Sequence, residues 1–109
     1  MVIITPEAED DIQQAYRWYE SKRIGLGNDF ELCVESAINT IERYPEIGEC
    51  AYKSVRRYRL TRFPYGLYYV VQENQMYLVA VFHYKRSPHM LQQRTQYLSL
   101  IITFATYCQ

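Results

Sequence analysis

His83, Lys85 and Arg86 follow one another closely in the stretch Val81-Phe82-His83-Tyr84-Lys85-Arg86-Ser87-Pro88, where an apolar run stops. Five more cations, Lys53, Arg56, Arg57, Arg59 and Arg62, cluster within one span of ten positions further upstream. An imidazole titrates near neutrality and can give or take a proton. Guanidinium forks bind phosphate or carboxylate oxygens in pairs. Two chemistries therefore fit these residues. The first is phosphodiester cleavage, with a base to activate a 2′-hydroxyl, cations to stabilise the charged phosphorane, and an acid for the leaving 5′-oxygen. The second is adhesion, in which the cations grip nucleic acid or a carboxylate-rich peptide. A histidine at a strand end also has a plain structural use as a hydrogen-bonded residue, and a run of arginines can be a solvated basic face. A Gly-rich phosphate loop, a metal-ligand cluster and a nucleophile elbow do not occur, so no metal and no cofactor are expected.

The charge distribution favours a role for the cations. The chain has 109 residues, with 12 Lys and Arg against 12 Asp and Glu. From Met1 to Cys50 there are 4 cations and 11 acids, and from Ala51 to Gln109 there are 8 cations and 1 acid, Glu73. A surface built from the second half would carry a positive field able to steer toward nucleic acid or an acidic protein. The 12 tyrosines add side chains that serve both half-buried sheet faces and contact surfaces.

The elements that must position these groups follow from periodicity. The length suits one domain with one core. Met1 to Ile4 is a short β-branched run, and Thr5-Pro6 supplies a helix cap and a proline for the first turn. Acids at Glu7, Glu9, Asp10 and Asp11 suit the positive end of that helix, and Ala8, Ile12, Ala15 and Tyr19 recur at helical spacing. Ile24-Gly25-Leu26-Gly27 interrupts the pattern. Phe30, Val34, Ala37, Ile38, Ile41 and Tyr44 then resume it up to Pro45, so the two helices form an antiparallel hairpin.

Beyond Gly48 the period changes to 2, through Val55–Leu60, Tyr65–Gln72 and Met76–Phe82. Only Glu73-Asn74-Gln75 separates the last two, which makes them a β-hairpin. Ser87-Pro88 reads as the start of a short terminal helix reaching about Thr95. The expected fold is α+β: a short N-terminal strand and an antiparallel helical hairpin packed on a mainly antiparallel β-sheet, with a short C-terminal helix. Residues 1–96 make the domain and 97–109 an extension. That extension, Tyr97 to Gln109, is uncharged and rich in β formers, so it should be buried as an added strand or helix end or lie in a homodimer contact, the plainer alternative being an accidental extension. Cys33, Cys50 and Cys108 are odd in number, lack metal-like spacing and follow no secretory leader, and they read as reduced cytosolic thiols. No segment approaches the length of a membrane span, and a cytoplasmic location is expected.

The order of these residues carries a family resemblance. The segment Arg59 to Arg94, RLTRFPYGLYYVVQENQMYLVAVFHYKRSPHMLQQR, resembles the C-terminal signature of the RelE/ParE superfamily of toxins from type II toxin–antitoxin systems. The segment from Thr5 to Glu49 resembles the N-terminal helical hairpin of that superfamily. One branch, RelE-like, cleaves mRNA in the ribosomal A site, and another, ParE-like, poisons DNA gyrase. Phe63-Pro64-Tyr65 and the AVFHYKR strand end are similar to the ParE-like, plasmid-stabilisation branch.

Two positions depart from the nuclease branch. Gly66 stands where that branch usually carries a catalytic arginine, and Met90 where it carries a tyrosine, near the place where ParE-like chains often have tryptophan. Arg86 does match a basic position of the nuclease branch. Charge stabilisation at phosphate is commonly a large part of such catalysis, so the resemblance implies a gyrase inhibitor neutralised by a cognate antitoxin. The contact residues for target and antitoxin are then Arg57, Arg59, Arg62, Tyr65, His83, Lys85, Arg86 and Arg94. The alternatives are a metal-independent, ribosome-dependent endoribonuclease using His83, Arg62 and Arg86, and an inactive relative that binds antitoxin only.

Overall fold

The computed structural model describes residues 2–85 together with Leu91, Gln93 and Arg94. Arg86, the Ser87-Pro88 cap, Met90, Cys108 and the extension 97–109 lie outside the described residues. Leu91, Gln93 and Arg94 are helical, within the segment expected to form the terminal helix.

The first helix, α1 (Pro6–Lys22), starts where its cap is. Thr5 Oγ1 accepts a hydrogen bond from the Ala8 amide at 3.2 Å, and Glu7 and Glu9 occupy the first turn. Ala8, Ile12 and Ala15 are buried at helical spacing. The second helix, α2 (Leu26–Arg43), begins earlier than the apolar periodicity implied. Gly25 takes a left-handed φ of 93°, which no side chain favours. The exposed amides of this end are bound by a carboxylate from α1: Glu20 accepts from Gly25 and Gly27, each at 2.9 Å. Gly27 belongs to the helix and not to the break, because a Cβ there would sit 2.8 Å from the Tyr16 carbonyl oxygen. The glycine pair thus closes the hairpin.

Among the described residues, five strands form one sheet: β1 (Val2–Ile4), β2 (Glu49–Tyr52), β3 (Val55–Arg59), β4 (Tyr65–Gln72) and β5 (Gln75–His83), in the order β1-β5-β4-β3-β2. β1 runs parallel to β5 and the remaining pairs are antiparallel. The α+β architecture is as expected, with one strand more. β2 carries no apolar alternation and exists by pairing with β3. Gln72 pairs with Gln75, and Glu73 and Asn74 have φ of 49° and 65°, the two-residue primed turn that matches strand twist.

The helices cover one face of the sheet. Phe30, Val34 and Ile41 of α2 and Ala8 and Ile12 of α1 meet Leu67, Tyr69, Leu78 and Val81. The opposite face holds a second cluster, with Val55, Tyr68, Val79, Ala80 and Phe82 joined by Leu91. A bulge where Tyr68 and Tyr69 oppose Ala80 and Leu78 makes Val79 the extra residue. It lets Leu78 and Val81 face the helices together.

Candidate functional site

The sheet divides the residues that sequence grouped together. Arg57 pairs with Tyr68, and Tyr68 with Ala80, so Arg57 and, two residues on, Arg59 stand on the face away from the helices. Tyr65 pairs with His83, and both share the face of Leu67 and Val81 under the helical hairpin. His83 is therefore on the other side of the sheet from Arg57 and Arg59, a correction to the single cationic surface expected from the strand end.

On the helical side His83 borders a cleft of about 520 Å³ with Asp11, Gln14, Trp18, Tyr19, Pro64 and Tyr65. Its ring meets the Tyr65 ring edge-on at 5.2 Å. The Lys85 amide donates to His83 Nδ1 at 3.0 Å, which leaves the proton of the neutral ring on Nε2. Arg62 reaches Asp29 of α2 at 3.6 Å, and its guanidinium lies over the Phe63 ring. The Lys85 side chain is exposed. Of the nuclease set, Arg86 lies outside the described residues.

Arg94, expected among the contact cations, is engaged inside the fold. β1 ends at Ile4, opposite Leu78, while β5 runs on to His83. Side chains complete this edge. Thr5 donates to the Leu78 carbonyl from both its amide and its hydroxyl at 3.1 Å. Arg94 donates to the Val79 carbonyl at 3.0 Å, and Asp11 accepts from the Val81 amide at 3.0 Å. The two side chains form a bidentate ion pair at 3.0 and 3.3 Å, with the Asp11 carboxylate only 7% exposed. Buried groups in such a position must be paired, and here each also satisfies a strand edge.

On the open face the geometry is that of an anion receptor. Arg57 holds Glu49 through Nε at 2.9 Å and through a shorter bond from Nη2 to the same carboxylate oxygen. Arg59 Nε adds a bond at 3.3 Å. Gly66 makes room for this arrangement, since a Cβ there would lie 3.1 Å from the Arg57 Cγ. The Arg59 guanidinium lies 5.1 Å from the centre of the Tyr84 ring, and the Tyr84 hydroxyl donates to the Leu60 carbonyl at 3.0 Å. Hydrogen bonding from Arg57, and then its charge, hold the Glu49 carboxyl below its ordinary range. Burial alone would lower the Arg57 pKa, but hydrogen bonds with Glu49 and Tyr68 outweigh it and raise the value. Burial pushes the Tyr84 hydroxyl up.

Glu49, Tyr68 and Tyr84 were not singled out by sequence. The signal for Glu49 was present: it is the last acid before the basic half of the chain. Among the described residues, no group of three or more His, Cys, Asp or Glu could hold a metal ion, and no helix is long and apolar enough to cross a membrane.

Comparison with known proteins bears on this framework. No curated protein matches the chain. Among solved structures, a chain described as the chromosomal ParDE toxin–antitoxin system from P. aeruginosa is similar in fold, with a TM-score of 0.59 and 14% sequence identity, over 75% of this chain and 92% of that one. The family model described as ParE toxin of type II toxin–antitoxin system, parDE, matches residues 2–88. That span runs from the first strand through the helical hairpin and all of the sheet to the His83 strand end. The chain thus belongs to the ParE family, the toxins of type II toxin–antitoxin systems.

Proposed function

We propose that this toxin acts by gripping a protein, with DNA gyrase as its target, and that a cognate antitoxin neutralises it in the cytoplasm. The observation that carries the reading is the pair Arg57 and Arg59, aimed together at one carboxylate on the face away from α1 and α2, with His83 on the other face and no part of that set. Cleavage of a phosphodiester needs its base and its cations around one phosphate. Adhesion needs only a broad surface with directed donors, and the open face provides one, with Arg57 and Arg59 beside Tyr84. Gly66 supports the same reading, because the Arg57 stem fills the space in which a larger residue would stand.

Brief expression in bacteria tests the target. Early loss of DNA supercoiling with SOS induction, while protein synthesis continues, is the outcome for a gyrase inhibitor. Prompt translation arrest with cleaved transcripts would sink the gyrase assignment in favour of the endoribonuclease, and normal growth would leave an inactive relative. The double variant Arg59→Ala/Arg86→Ala should abolish toxicity while the melting temperature moves by no more than about 2–4 °C, as for surface changes. Undiminished toxicity would disprove the surface assignment.

A further inference from the structure

The cations of the open face are already occupied, and the occupant is the chain itself. Glu49 lies on β2, the edge strand, which is four residues long and irregular between Cys50 and Tyr52. Its carboxylate is half exposed and receives both guanidinium groups on one oxygen. The cations are held by other groups as well. The Arg57 stem lies against Gly66 and the residue stands directly opposite Tyr68 across the strand pair, while Arg59 stacks on a Tyr84 ring that is itself tied to Leu60. Removal of Glu49 would therefore leave the two forks aimed at the same point.

Two guanidinium groups converging on one carboxylate oxygen make a charge-assisted anion site of the kind by which arginines hold carboxylates. The bound group arrives from a neighbouring extended strand, at the register where Glu49 pairs with Arg57. We infer that Arg57, Arg59, Tyr68 and Tyr84 form a carboxylate subsite for an acidic, extended segment of a partner protein, and that Glu49 is an internal competitor that must leave before the segment binds. The inference rests on the reading that this face grips a protein, but not on which protein is gripped.

A competitor that fills a site most of the time weakens the apparent affinity by the fraction of sites left open. The expected consequence is that Glu49→Gln binds tighter. Fluorescence anisotropy with a labelled hexaglutamate peptide on the full chain, at low salt, reads it directly: Glu49→Gln should bind about five- to tenfold more tightly than the parent, if Glu49 fills the site roughly 80–90% of the time. Glu35→Gln, which makes the same charge change on α2, should bind as the parent does. Adding Arg57→Gln to Glu49→Gln should erase the gain, with circular dichroism and melting confirming that each variant is folded.

Equal tightening by Glu35→Gln would reduce the effect to net charge and overturn the inference. So would no tightening by Glu49→Gln, or a larger gain for a single-stranded RNA oligonucleotide than for the peptide. A supercoiling assay on the same variants separates the two readings. Peptide binding that behaves as expected without gyrase inhibition removes the gyrase target alone, and intact inhibition without the peptide effect removes the Glu49 competitor alone.

Discussion

Tyr69 is fully buried, yet it ends in a hydroxyl. It donates to the Pro45 carbonyl at 2.8 Å and accepts from the Gly48 amide at 3.0 Å, so one phenol anchors the turn between α2 and β2 to the middle of the sheet. Gly48 is required by the same contact, because a Cβ there would stand 2.6 Å from the Tyr69 oxygen. Tyr69→Phe keeps the ring and strands the Gly48 amide, which should cost about 1–3 kcal/mol as read from a urea denaturation midpoint. A change below a few tenths would mean that the turn relaxes to find another acceptor. None of this was legible in the sequence, where Tyr68 and Tyr69 are two adjacent tyrosines in a strand. Which of them faces the helices depends on the pairing with β3 and β5, and residue type carries no information about it.

At the scale of elements, the helices were readable because each buries one face at helical spacing, and β3, β4 and β5 because they are runs rich in β-branched and aromatic residues bounded by turn residues. β2 was not, since Glu-Cys-Ala-Tyr has no buried residue to mark it and its strand character comes from its neighbour. The position of His83 was misjudged for a related reason: alternation gives the spacing of side chains on a strand, and only register says which face is which. The Asp11–Arg94 pair lay equally out of reach, as it joins residues 83 positions apart to complete an edge left by a three-residue β1. Asp11→Ala leaves the Val81 amide without its acceptor and the largely buried Arg94 guanidinium without its counter-charge, although Arg94 keeps its bond to the Val79 carbonyl. A loss of about 3–5 kcal/mol is expected for breaking such a pair from one side, measured by chemical denaturation. A loss under about 1 kcal/mol would show that water replaces the carboxylate there.

For the molecule as a whole, the sheet is a partition, with α1, α2, His83 and the aromatic cleft on one side and Leu91 and the arginine receptor on the other. Its stability has a defined alkaline limit. Burial raises the hydroxyl pKa of Tyr19, Tyr69 and Tyr84 above 10.0, where each would ionise when unfolded. The folded chain therefore holds protons that the unfolded chain releases, and this contribution is complete below pH 10.0 and is lost as pH climbs through the higher folded values. Melting temperature should fall above that point in step with tyrosinate absorbance, and a melting temperature that stays level there would refute the burial assignment.

The parallel pairing of β1 with β5 also sets an order in time. Val2 meets Met76, and Ile4 meets Leu78, so β1 must wait for β5, the last strand among the described residues. Until then the apolar side of α1 and α2 has no β4 or β5 to cover it. A nascent chain therefore cannot complete the receptor face until β5 and the Tyr84 that follows it have been made.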